Sequence, residues 1–397
     1  MKTILFHVNS FLAGGIEKVL IELLRAMDEK KYKIRLSIAY NFGEQEVLLS
    51  ELPDYVEVHH LLNAPWLINA QKKKKTGKIG VFEKLAAELF FPPIRKVRQA
   101  RALKNLLKDT DVVIDFDTTL APFYKLFEDK RSAVYRHFGF GHNWKAEKRK
   151  LDKLSRRLVH YNRVVMLCEE MKDEAAKMYP FLKPKLTRIY NALNRERIEE
   201  LAQEPIDAEL LKGRPYIVSV GRLHEVQKDF TTLVKAYIDC VNRYKIEECL
   251  VIVGYGSARE SLEKLAHDAG MSERILFTGF QPNPYKWIAN SSLFLFSSKY
   301  EGLPTVIIEA MILDKPIVAT ACPTGVRELL MNGAAGILTE VGNVAQMSEA
   351  IHRLLGDAAL QNQFSEARKD FLKHFDPTFM IAQVEGLLIE GRSESES

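Results

Sequence analysis

The chain has no apolar run approaching the roughly 18 residues that a membrane-crossing helix needs. It is also poor in cysteine. Cys168, Cys240, Cys249 and Cys322 are its four, with no C-x-x-C pair and no histidine at ligand spacing. This argues against zinc and reads as reduced thiols in a cytoplasmic protein. The opening MKTILFHVNSFLAGG is apolar but broken by His7 and Asn9, so a first buried strand is expected rather than a secretion signal. A dinucleotide fingerprint is missing too. Ala13-Gly14-Gly15 lacks the G-x-G-x-x-G spacing, and in Val253-Gly-Tyr-Gly256 the third glycine is replaced by Arg259, so NAD is not expected. No stacking aromatic array accompanies the basic residues, which sets nucleic acid aside as a partner.

What is present describes a large, two-part α/β protein. Of 397 residues, 47% are hydrophobic and 27% charged, enough for more than one core. Residues 1–200 hold 38 Lys and Arg against 26 Asp and Glu, whereas the remainder holds 19 against 26. The basic excess concentrates in residues 72–108, with 12 basic and 2 acidic side chains.

Apolar runs alternate with helical periodicity along both halves. Lys2–Asn9, Ile34–Tyr40, Val112–Phe116, Ser132–Tyr135 and Arg163–Cys168 read as strands, with a helix over Ile16–Met27. In the second half, Tyr216–Val220, Leu250–Val253, Ile275–Thr278, Leu293–Phe296 and Pro316–Ala319 read as strands. Helices are predicted between them over Phe230–Asn242, Ala258–Ala269 and Val306–Leu313. Such alternation predicts parallel sheets covered on both faces. The fold class is therefore α/β, with two doubly wound, Rossmann-like domains facing across a cleft. The polar stretch Asn191–Arg214 reads as the hinge. The expected division is residues 1–195 and 196–374, followed by residues 375–390 and a disordered tail over 391–397.

The most informative segment is SSKYEGLPTVIIEAMILDKPIVAT, residues 297–320. Glu301 follows a predicted strand and precedes a Gly-Leu-Pro turn. Glu309 lies two helical turns further, roughly 12 Å at ~1.5 Å per residue. Pro304 can open the helix without losing a needed N–H, leaving backbone donors and a positive dipole end for an anion. The stretch VSVGRLHEVQKDF adds Gly221, Arg222 and Lys228 at the end of another strand, a guanidinium fork and a point charge suited to a diphosphate. Two solvated cations would be the plain alternative; the Glu pair downstream tips the reading towards a site. Gly254 and Gly256 read as a tight turn in the cleft wall. Thr278-Gly279-Phe280 leads into a loop that either meets a nucleobase or merely connects. In the first half, Gly14 and Gly15 precede a helix, and His137 ends a strand, with His142 as a competing candidate. Asp115 and Asp117 either face the cleft or cap the next turn.

Gly14-Gly15, His137, Gly221-Arg222 with Lys228, Gly254-x-Gly256, and Glu301 to Glu309 followed by Ala310-Met311 occur in this order over nearly the whole chain. In these elements the chain resembles the retaining glycosyltransferases of family 4, which have the GT-B fold. The resemblance implies a nucleotide-diphosphate sugar donor, most simply a UDP-hexose, bound by residues 196–374, with residues 1–195 as the acceptor domain and 375–390 as a helix returning to it. Arg222 and Lys228 would hold the diphosphate, Glu309 the ribose hydroxyls and Glu301 hydroxyls of the transferred sugar. Backbone N–H groups over Gly302, Leu303, Pro304 and Thr305 would add contacts, proline contributing only shape. Gly14 and Gly15 would close over the donor, and His137 would touch the sugar near its reacting face. No metal or other cofactor is implied, which suits the position of Asp115-Phe-Asp117, a D-x-D in the acceptor half. Retention of anomeric configuration follows from the resemblance alone. A UDP-sugar epimerase of the same fold, or a silent nucleotide-sugar-binding scaffold, are the alternatives.

Residues 66–108 depart from the strand–helix pattern. Lys72–Lys75 precede Ile79–Phe91, in which Phe82, Leu85, Leu89 and Phe90 share one side of a helix. An anionic membrane surface is the expected partner of residues 72–108, and a solvated amphipathic helix the plain alternative. The acceptor would then be a lipid-linked or surface glycan such as lipopolysaccharide or capsule. The protein would sit at the inner face of the cytoplasmic membrane.

Overall fold

The computed structural model describes residues 1–12, 14–69, 90–141, 144–206 and 208–389. Lys72–Lys75, most of the Ile79–Phe91 helix, His142 and the tail 391–397 lie outside the described residues. The chain forms two compact units. The first contains Met1–Met166, Glu174–Ile189 and the chain from Met380 onward; the second contains Leu167–Asp173 and Tyr190–Phe379.

The first unit is built on seven strands: β1 (Lys2–Val8), β2 (Tyr32–Ile38), β3 (Val56–His60), β4 (Val112–Asp115), β5 (Arg131–Arg136), β6 (Arg163–Met166) and β7 (Leu186–Arg188). Their order is β3-β2-β1-β4-β5-β6-β7, and every pairing is parallel. Ile4, Leu5 and Phe6 are fully buried at the centre, as a strand covered on both faces requires. The Gly15–Ala26 helix buries Val19, Leu20, Leu23 and Leu24, an i, i+1, i+4, i+5 stripe that packs one face inward. The C-terminal helix, Pro377–Ile389, buries Met380 and Val384. Its Glu385 accepts a 3.0 Å hydrogen bond from Tyr32 Oη, on β2 of the same unit.

The second unit has six strands: β8 (Tyr216–Val220), β9 (Cys249–Val253), β10 (Ile275–Gly279), β11 (Leu293–Phe296), β12 (Ile317–Thr320) and β13 (Ile337–Thr339). Their order is β10-β9-β8-β11-β12-β13, again all parallel. One core joins strand residues Ile217, Leu250 and Leu295 to Leu233 and Tyr237 of the Phe230–Tyr244 helix and Ile351 and Leu354 of the Val344–Gly356 helix. The stretch 191–214 carries the helices Arg195–Ala202 and Ala208–Leu211. Asn194 caps the first of these, its Oδ1 accepting from Arg197 N at 2.9 Å. Among the described residues, no helix is long and apolar enough to cross a membrane.

The strand order reverses between β1 and β4 in the first unit and between β8 and β11 in the second. Crossover connections leave in opposite directions at such a point, opening a crevice beyond the strands' carboxyl ends where ligands bind. The loop after β8 begins with Gly221-Arg222, and the loop after β11 leads to Glu301. The loops that carry Arg222, Lys228 and Glu301 therefore leave the switch point of one sheet.

The turn after β9 buttresses the turn after β8. Gly221 N donates to Val253 O at 3.0 Å and Leu223 N to Tyr255 O at 2.9 Å. A Cβ on Gly254 (φ +148°) would lie 1.9 Å from the Gly221 carbonyl oxygen, and one on Gly256 2.3 Å from that of Leu223. Backbone against backbone leaves nothing able to give way. At Gly15 a Cβ meets nothing within 4 Å. The two glycines should therefore respond in opposite ways to alanine. Gly254→Ala is expected to cost about 2 kcal/mol or more. Gly15→Ala, at the first helical position, should be neutral or stabilising by up to ~1 kcal/mol. Urea denaturation of both variants checks this, and equal stabilities would show that the β8–β9 turn packing is not tight.

Candidate functional site

Glu301 is a buried, multiply bonded carboxylate in the loop after β11. It is 7% exposed. Its Oε1 accepts from Lys228 Nζ at 2.5 Å and from Ser298 Oγ at 2.7 Å, and its Oε2 accepts from Gln227 Nε2 at 3.1 Å. Its backbone is held as well, with Glu301 N donating to Pro323 O at 2.7 Å and Thr324 Oγ1 donating to Glu301 O at 2.8 Å. A carboxylate offers about four acceptor positions, so three protein donors leave room for roughly one more hydroxyl. Removing one partner of such a buried pair costs on the order of 3–5 kcal/mol, because the other charge is stranded.

Two loops must lie side by side for this to form. Lys228 and Ser298 make an isolated antiparallel bridge outside the named strands. Around it, Lys299 N donates to Gln227 O at 2.8 Å and Ser298 Oγ to the same carbonyl at 2.9 Å. Ser298 is tied to β12, its N–H donating to Thr320 Oγ1 at 2.9 Å. Lys228 Nζ lies 4.8 Å from the centroid of the Phe296 ring, which adds a cation–π attraction. Arg222, by contrast, is exposed, and no side-chain bond of it is formed among the described residues.

The helix after Glu301 runs Thr305–Ile312, with Pro304 at its N-cap and no side-chain cap. Among the described residues, the N–H groups of Gly302, Leu303 and Thr305 enter none of the turn and loop hydrogen bonds. Gly302, Leu303 and Pro304 are buried all the same. Uncommitted donors at a helix N-terminus form an anion-binding arrangement. Glu309 lies on this helix, 7% exposed. Gly325 (φ +78°) lets the next loop approach; a Cβ there would lie 2.2 Å from Gly302 O.

Three contributors escaped the sequence reading. Gln227 and Ser298 orient Glu301, and only the long-range bridge between their loops reveals it. The third is an aromatic pair at the carboxyl ends of β9 and β10. Tyr255 and Phe280 are each about half exposed and meet edge to face, centroids 5.8 Å apart at 85°.

In the first unit, His137 is 9% exposed, and its Nε2–H donates to Phe116 O at 2.5 Å. Burial pushes its pKa down to about 4, so the imidazole is neutral near pH 7. Asp115 and Asp117 accept both from backbone N–H groups of the turn that follows them and from groups distant in sequence. Asp115 Oδ2 accepts from Leu120 N at 3.0 Å and Tyr161 Oη at 2.7 Å, while Asp117 Oδ2 accepts from Asn9 N at 2.6 Å. Burial, reinforced by the neighbouring Asp117, pushes the Asp115 carboxyl well above the usual carboxylate range. Gly14 is the N-cap residue of the Gly15–Ala26 helix, without a side-chain cap.

Comparison with known proteins places these features in context. Over 188 residues the chain is 35% identical to the N-acetylgalactosamine-N,N'-diacetylbacillosaminyl-diphospho-undecaprenol 4-alpha-N-acetylgalactosaminyltransferase of Campylobacter jejuni, covering 47% of this chain. The match spans about half, 49%, of that relative's length. An uncharacterized glycosyltransferase of Haemophilus influenzae is 24% identical over 96% of this chain and 98% of its own. The Anabaena HepE structure with UDP and glucose superposes with a TM-score of 0.75 over 98% of this chain and 99% of HepE, at 17% identity. Residues 202–371 match the family model of the glycosyl transferases group 1, and the chain has the GT-B fold.

Proposed function

We propose that the chain is a retaining, metal-independent hexosyltransferase that takes its sugar from a nucleotide-diphosphate donor, in the first place a UDP-hexose. The observation that carries this reading is the fixed Glu301 carboxylate, bound to Lys228, Gln227 and Ser298 beside the uncommitted N–H groups of Gly302, Leu303 and Thr305. A carboxylate with one acceptor position to spare selects a sugar hydroxyl. The neighbouring amides and the exposed Arg222 suit the diphosphate. Lys228 spends one of its three protons on Glu301 and keeps two for phosphate oxygens. Glu309 takes the ribose hydroxyls, and the exposed Tyr255 and Phe280 rings offer apolar area to a base. We assign Gly14, Gly15 and His137 on the resemblance alone.

In the reaction, the acceptor hydroxyl attacks the anomeric carbon on the face that the diphosphate leaves. The bond from that carbon to the β-phosphate oxygen breaks, and the hydroxyl proton passes to the departing diphosphate. Positive charge set in place beforehand lowers this barrier without reorganisation during the step. Arg222 and Lys228 supply that charge in place of a metal.

The acceptor we infer is a lipid-linked or surface glycan. The name of the Campylobacter relative sets its acceptor on a diphospho-undecaprenol carrier, which supports this class. So does the described part of the basic stretch. The Phe91–Leu107 helix exposes Ile94 and Val97, following the exposed Phe90. Arg95, Lys96, Arg98, Arg101 and Lys104 lie along the same helix, with no acidic residue. Apolar side chains ringed by cations suit the surface of an anionic membrane.

Arg222→Ala should lower hexosyl transfer by ~10²-fold or more, the scale for loss of one preorganised charge. It should also reduce thermal stabilisation by UDP without added metal. Turnover near the wild-type rate would place the diphosphate elsewhere. Ile94→Ser combined with Val97→Ser should weaken co-sedimentation with phosphatidylglycerol vesicles while UDP stabilisation persists. Unchanged sedimentation would remove this helix from the membrane reading.

A further inference from the structure

The first unit carries a charged groove that the transfer reaction leaves unused. The Trp144–Leu158 helix and the 3-10 turn Ala121–Leu126 border an open cavity of about 710 Å³. Arg149, Lys153, Arg156, Arg157 and His160 line it, with Tyr124 and Asp152. Arg149, Lys153, Arg156 and Arg157 follow an i, i+4, i+7, i+8 pattern that gathers them on one helical face, ~12 Å long at ~1.5 Å per residue.

Asp152 is the acidic side chain of the lining, and Lys148, with smaller contributions from Tyr179 and Arg156, holds its carboxyl below the usual range. Its Oδ2 accepts from Lys148 Nζ at 2.7 Å and its Oδ1 from Tyr179 Oη at 3.1 Å. Arg149, Lys153, Arg156 and Arg157 make no side-chain hydrogen bond or ion pair among the described residues. Like charges at i, i+4 disfavour a helix, as at Arg149–Lys153 and Lys153–Arg157. The sequence nonetheless stacks them on the face that lines a cavity. A wall beside them is flat and rigid, because Tyr124 and His160 stack with centroids 3.8 Å apart at 11°.

The geometry points to a binding site for a diphosphate, or for two neighbouring phosphate groups. A single carboxylate would leave most of the positive charge unmatched. A phosphoryl group carries about −1.5 to −2 at pH 7, so two of them match four cations, and guanidinium forks bind their oxygens in pairs. The site lies wholly in the first unit and does not depend on the donor reading.

Inorganic diphosphate is the probe, titrated calorimetrically into the whole chain and into the Arg149→Gln/Arg156→Gln variant. Arg222→Ala serves as a control for binding at the β8–β11 crevice. The groove predicts at least tenfold weaker binding in the double variant and retained binding in Arg222→Ala. Without ligand, the double variant should melt at the wild-type temperature or above, since repulsion is relieved. Equal diphosphate affinity in wild type and double variant would overturn the site. So would a lower melting temperature without ligand, which would show that the arginines serve the fold. Phosphatidylglycerol and phosphatidylcholine vesicles separate the sources. A loss of phosphatidylglycerol binding alongside diphosphate places the phosphoryl groups on a lipid headgroup. A loss confined to diphosphate places them on a soluble or glycan-borne ligand. Either result supports the site.

Discussion

The buried ion pair between Lys228 and Glu301 is the constraint from which the candidate site follows. Two charges withdrawn from water are tolerable only with good geometry and further hydrogen bonds, and both are present. Gln227 and Ser298 complete the carboxylate, Phe296 lies under the ammonium, and the Lys228–Ser298 bridge fixes the distance between their loops. A carboxylate restrained by three donors cannot swing, so whatever hydroxyl it accepts is placed before chemistry begins. That is the preorganisation on which group transfer depends.

The pair in turn depends on topology. Its loops leave neighbouring strands, β8 and β11, whose crossovers run in opposite directions. Only at such a reversal do the loops of two adjacent strands diverge and leave room for a ligand. The glycines after β9 hold the Gly221–Leu223 turn from behind, so Arg222 projects from a braced backbone rather than a loose loop.

Much of this was legible in the sequence. β8 and β11 have the predicted bounds, since their continuous apolar runs are those of strands buried on both faces. The Gly-Leu-Pro turn announces the helix after Glu301. The short edge elements were not legible. β3, VEVHH, alternates in polarity with exposed Glu57 and Val58, and β13 has only three residues. The helices Val344–Gly356 and Ala358–Phe371 were also missed, although Asn343 and Asp357 stand before them as caps, each accepting from a backbone N–H three residues on. At the site, residue types and order were readable, but the partnership of Gln227 and Ser298 with Glu301 was not. It rests on a bridge between residues 70 positions apart, and periodicity carries no such information. His137 shows the same limit, because its bond to the Phe116 carbonyl exists only once β4 and β5 are paired.

The most direct test of the account is amide hydrogen exchange of the whole chain with and without UDP. Slowed exchange concentrated in residues 221–228 and 301–309 is the predicted result, because the arginine turn and the uncommitted amides after Glu301 would close on the diphosphate together. Protection confined to other segments, or none at saturating UDP, would contradict the assignment of the β8–β11 crevice as the donor site.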